Sequence, residues 1–119
     1  MQWELDKNRP LTPQLCRTLS VAIATGEYPP GARLPSVREI AAQAGVNPNT
    51  AQKSFEELER QGLITSVRSV GWFVRENTAA AQAFVEQVLR EKTAEYLRQM
   101  ELLGLSREEI LQIVKEWSE

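Results

Sequence analysis

The chain has no histidine and only one cysteine, Cys16, in 119 residues. Zinc sites built from Cys and His are excluded by that inventory, and so is an intrachain disulfide. A nucleophile activated by histidine has no base to work with, and there is no glycine-rich phosphate loop. The carboxylates follow helical surface spacing and alternate with lysine and arginine, the pattern of a solvated face. No apolar run approaches the roughly 20 residues of a membrane span, and no signal-peptide pattern opens the sequence. The expectation is a soluble cytoplasmic protein that is not an enzyme, with no cofactor, no metal and no membrane partner. Cys16 falls in an apolar helical segment, where it reads as a small buried side chain.

Positive charge is also scarce. The chain holds 14 Lys+Arg against 16 Asp+Glu, a net charge of −2, with a pI near 5.3, which counts against nucleic-acid binding. The acid excess is uneven, however. Residues 1–76 carry nine Lys/Arg and eight Asp/Glu, whereas residues 77–119 carry five and eight. A local basic patch therefore remains available on the first part, with modest nonspecific affinity.

What the chain does have is concentrated between Leu34 and Val74. Ser36 with Glu39 three residues later forms a capping-box start, followed by Val37, Ile40, Ala41 and Ala44 on one face. Gly45 closes that helix. Asn47 and Pro48 open the next as N-cap and N1, and Gly62 ends it. Two β-rich runs, Leu63 to Val67 and Gly71 to Val74, flank Arg68-Ser69-Val70 and predict a hairpin. Helix, turn, helix, hairpin is a winged helix-turn-helix.

The second helix is asymmetric. Ala51, Phe55 and Leu58 share an inward face; Asn49, Lys53, Glu56 and Arg60 lie opposite, with Gln52 on the flank. All its carboxylates (Glu56, Glu57, Glu59) fall in the C-terminal half, leaving amides, hydroxyls and one lysine in the first two turns. Such a start suits entry into a major groove, where the helix dipole and free N–H groups favour phosphate and amides pair with adenine edges. Asn47, Asn49, Thr50, Gln52 and Lys53 are the groove candidates, Asn47 mainly as the cap and Thr50 limited to phosphate. The competing reading is an ordinary solvated polar face.

These segments resemble the DNA-binding domain of the GntR family of bacterial transcription regulators. The resemblance spans about residues 10–75 and rests on Gly31-x-x-Leu34-Pro35-Ser36-x-Arg38-Glu39-Ile40-Ala41, Gly45-Val46-Asn47-Pro48-Asn49-Thr50 and Leu58-Glu59-x-x-Gly62-Leu63-Ile64. The Val-Asn-Pro-Asn-Thr run and short tail look most like the YtrA subfamily. The resemblance implies that Arg38 forks onto a guanine or a phosphate, and that the wing residues Arg68, Ser69 and Gly71 approach the minor groove or backbone. The solvent-facing alternatives are a surface ion pair for Arg38 and a solvated cation for Arg68. The wing departs from the family's Arg-Gly-x-Gly-Thr-Phe-Val: Ser69 stands where a glycine is usual, and Trp72 where a small residue is.

Outside this stretch, Trp3 and Leu5 form an N-terminal arm suited to covering a core edge or a partner. Thr12-Pro13 reads as N-cap and N1 of a first helix carrying Leu15, Leu19, Ala22 and Ile23 and stopped by Gly26. After Glu76 a long helix is predicted with Asn77 or Thr78 as its cap; Val85, Val88, Leu89, Tyr96, Leu97, Met100 and Leu103 make an apolar stripe that ends at Gly104. Ser106 with Glu109 caps a short helix bearing Ile110, Leu111, Ile113, Val114 and Trp117. Its stripe needs a partner, either a second copy or the winged domain.

The whole predicts a mainly α chain with a small β-hairpin. Residues 1–76 form a winged helix-turn-helix that binds double-stranded DNA, and residues 77–119 a two-helix hairpin for homodimerisation. The resemblance implies a regulator, most simply a repressor of a transporter-type operon at a near-palindromic operator; an effector is not identifiable. The alternative is a winged-helix protein-interaction module without DNA binding, as fold alone does not fix function.

Overall fold

The computed structural model describes residues 1–118. Three helices, α1 (Leu11–Ala24), α2 (Val37–Ala44) and α3 (Pro48–Arg60), precede an antiparallel pair, β1 (Ile64–Val67) and β2 (Gly71–Val74). Two further helices follow, α4 (Ala79–Leu102) and α5 (Arg107–Ser118). The chain divides into two compact units, the first ending at Val85 and the second beginning at Glu86. The winged helix-turn-helix followed by C-terminal helices is the predicted architecture.

Core formation in the first unit follows the apolar spacing. Leu15 and Leu19 of α1, Ile40 of α2, Phe55 and Leu58 of α3 and Ile64 of β1 are essentially inaccessible to solvent. Each fully buried side chain of this size contributes about 1.5–3 kcal/mol relative to exposure. Trp3 and Leu5 of the arm pack against this core, as do Ala80 and Ala81 from the first turn of α4. Cys16 is buried, its Sγ donating to the Ser54 carbonyl at 3.5 Å. Loss of solvation raises its thiol above the ordinary range, opposed by the side chain of Ser54.

The first helix starts earlier than Thr12-Pro13 predicts. Its N-cap is Pro10, which offers no side-chain cap, and Leu11 is already helical. Pro13 therefore sits at the third helical position, where its missing N–H would have had no intrahelical partner. Gln14 ties the arm to the start of the helix. Its Nε2 donates to the carbonyls of Asp6 and Pro10, both at 2.9 Å, and its Oε1 accepts from Asp6 N–H at 2.8 Å.

In the hairpin, Ile64 faces Val74 and Val67 faces Gly71, leaving a three-residue turn at 68–70. Val70 N–H donates back to Val67 O at 2.9 Å. Ser69 holds φ +65°, the left-handed conformation such turns place at one residue. For a residue other than glycine this costs roughly 1–2 kcal/mol. That explains the glycine usual at this position in the resembled wing.

In the second unit, Ser106 and Glu109 form the predicted reciprocal box: Ser106 N–H donates to Glu109 Oε1 at 3.0 Å and Glu109 N–H to Ser106 Oγ at 3.2 Å. These bonds hold the Glu109 carboxyl below its ordinary pKa. No residue of α4 is buried, and on α5 only Ile110 is. Among the described residues, no helix is long and apolar enough to cross a membrane.

Candidate nucleic-acid interface

Two capped helix starts and one turn carry the predicted contact residues. Ser36 Oγ accepts from Glu39 N–H at 3.1 Å, and α2 ends at Gly45 with φ +70°. Asn47 Oδ1 then accepts from Asn49 N–H at 2.8 Å, with Pro48 at the first helical position of α3. The cap thus fixes where α3 begins and which side chains stand in its first turns. Asn47→Ala is expected to lower stability by about 1 kcal/mol, read from urea denaturation; an unchanged midpoint would show that the cap bond contributes nothing.

Asn49, Gln52 and Lys53 on α3 are exposed, as are Arg38 on α2 and Arg68 and Ser69 in the wing turn; Thr50 is half-buried. Arg38, Lys53 and Arg68 make no ion pair or hydrogen bond among the described residues, so their charges are uncompensated locally. Gln52 donates from Nε2 to Glu56 at 3.1 Å, leaving its amide oxygen free to accept. The inward side of α3 holds a residue the periodicity passed over. Ser54 is fully buried, its Oγ donating to Thr50 O at 2.9 Å.

Glu56 takes the Gln52 bond, and the other two carboxylates of α3 are engaged near its C-terminal end. Glu57 pairs with Arg60 and accepts from Gln61. Glu59 accepts from both the N–H and the Oγ of Ser66, at 2.9 and 3.0 Å, and so ties the end of α3 to β1. These interactions hold negative charge away from the Asn47 end, which a polyanion would require.

Trp72 does not widen the wing. It is half-buried and meets Phe55 of α3 edge to face, with ring centroids 5.4 Å apart and planes at 83°. Gly71 is half-buried with φ +147°, and a Cβ there would lie 3.1 Å from Arg33 Nε. The positive φ favours glycine at 71, and a Cβ there would also press on Arg33, whose Nη2 donates to Val70 O at 2.6 Å. Lys7 of the arm adds a cation beside the helix-turn-helix, its Nζ 3.4 Å from Gly45 O. Arg33 and Lys7 carry no local signal in the sequence: each acts on a turn distant along the chain. Among the described residues, no three His, Cys, Asp or Glu side chains are grouped to hold a metal ion.

Residues 11–74 match the family model described as bacterial regulatory proteins, gntR family. Over 119 residues the chain is 34% identical to the HTH-type transcriptional regulator YhcF of Bacillus subtilis (strain 168), covering 100% of this chain and 98% of that protein. It is 32% identical over 112 residues to the HTH-type transcriptional repressor YtrA of the same organism, covering 92% and 85%. A solved GntR family transcriptional regulator from Listeria monocytogenes superposes with a TM-score of 0.83 at 31% identity, covering 94% of this chain and 98% of that one.

Proposed function

The chain belongs to the GntR family and is a DNA-binding transcriptional regulator, not an enzyme; from that premise we propose that it is a cytoplasmic homodimeric repressor. Residues 1–76 bind DNA and residues 77–119 dimerise. Each protomer sets the start of α3 in a major groove, with Arg38 from α2 beside it and the wing turn on the flanking backbone. The operator is near-palindromic, with half-sites about 10 bp apart or a multiple of that, and occupancy near a promoter blocks polymerase. The named repressor among the relatives supports that sign of regulation. A transporter-type operon is the target the YtrA resemblance favours. A winged helix that binds only protein gives way to family membership.

The observation that carries this reading is the chemistry of the Asn47 end of α3. It is exposed, free of carboxylates, and accompanied by the uncompensated cations Arg38 and Lys53. The test is binding to a duplex recovered by selection from a random pool with the full-length chain. Arg38→Ala is expected to cost about 1–3 kcal/mol at that duplex and to relax base preference at one position if Arg38 forks onto a base. Unchanged affinity would remove Arg38 from the interface, and a selection that enriches no sequence would remove the operator.

A further inference from the structure

The wing turn is held from outside its own hairpin. Residues Gly31–Leu34 run along the open edge of β2. Gly31 N–H donates to Val74 O and Val74 N–H to Ala32 O, both at 2.9 Å, while Leu34 N–H donates to Trp72 O at 2.8 Å. This places Arg33 opposite Phe73. From that position its side chain reaches the turn, where Nη2 donates to Val70 O at 2.6 Å. The guanidinium lies against Gly71, where a Cβ would come within 3.1 Å of Nε and 3.3 Å of Nη2.

Two features make this contact more than decoration. Ser69, in the middle of the turn, holds φ +65°, a conformation that persists in a non-glycine residue only where its surroundings impose it. Arg68 and Ser69 share the closed three-residue turn between Val67 and Gly71, so what holds that turn also holds the backbone that carries Arg68. Arg33 is itself exposed and makes no ion pair among the described residues. Its one described polar contact is to the turn.

We propose that Arg33 is a positioning residue for DNA binding: its guanidinium locks the wing turn so that Arg68 is aimed at the duplex. This rests on reading the wing as a DNA contact. If Arg33 instead supplied a phosphate contact of its own, its removal would matter equally with or without Arg68. As a positioning residue it acts only through Arg68.

A double-mutant cycle on the full-length chain separates these roles, using the selected duplex as the probe at several salt concentrations. Arg33→Ala and Arg68→Ala are each expected to weaken binding about tenfold, and the double variant no more than about twofold beyond either. The salt slope should fall by about one for Arg68→Ala and no further in the double variant. Arg33→Lys, which keeps the charge but loses the planar fork lying on Gly71, should bind as weakly as Arg33→Ala. A melting midpoint for Arg33→Ala close to the parent's shows that the helical core is untouched.

Additive losses, full recovery by Arg33→Lys, or no loss on removing either arginine would overturn the proposal. In all of those outcomes the parent still prefers its duplex and the regulator reading stands. A selection that enriches no duplex would remove the operator reading and the wing's role together.

Discussion

The full-length chain carrying Leu89→Asp and Tyr96→Asp is expected to sediment as a monomer and to lose roughly 10²- to 10⁴-fold in operator affinity, the advantage that linking two half-site contacts confers. The reasoning begins with what α4 leaves uncovered. No residue of that helix is buried; Leu89 is 59% exposed and Leu102 82%, and Leu103 just beyond it is 77% exposed. On α5, Trp117 is 91% exposed, and Leu111, Ile113 and Val114 are exposed with it. In the proposed dimer, apolar surface on this scale would be covered by the equivalent surface of a second copy. Leu89 and Tyr96 are exposed in the single chain, so charge at those positions should leave its fold intact. Substitution is a cleaner probe than cutting after Glu76, which would strip Ala80 and Ala81 from the winged core. A variant that remains dimeric would place the interface elsewhere.

The second large effect is on stability. Phe55→Ala is expected to destabilise the winged unit by about 3–5 kcal/mol, a large part of the roughly 5–15 kcal/mol that holds a typical domain together. Phe55 is wholly buried at the centre of the core and is also the surface on which Trp72 rests edge to face. Its removal opens a cavity and releases the wing from α3 at the same time. Urea denaturation should show the lowered midpoint. A loss below about 1 kcal/mol would mean that the site collapses around the smaller side chain.

Local chemistry made most of the fold legible. Ser36, Asn47 and Ser106 each cap a helix through the bond their side chains predict, and Gly45 ends α2 in the left-handed conformation. Apolar periodicity picked out Leu15, Leu19, Ile40, Phe55 and Leu58, all fully buried. The start of α1 was misread because Thr12-Pro13 has the form of a cap. The arm segment 6–10, pinned by Gln14, instead sets the boundary at Pro10. Contacts between separate segments left no trace in the pattern. Arg33 acts 37 residues away on Val70, and Glu59 acts on Ser66 across the bend into β1. Trp72 shows the same limit: its bulk stood out in the wing sequence, but only packing reveals that it faces Phe55.

Base-interference footprinting of the full-length protein on its selected duplex bears most directly on whether two copies of the Asn47 end of α3 meet DNA together. The account predicts two dyad-related sets of interfering bases in major grooves on one side of the duplex, centred about 10 bp apart or at a multiple of that. One set alone, or interference confined to the minor groove, would contradict it.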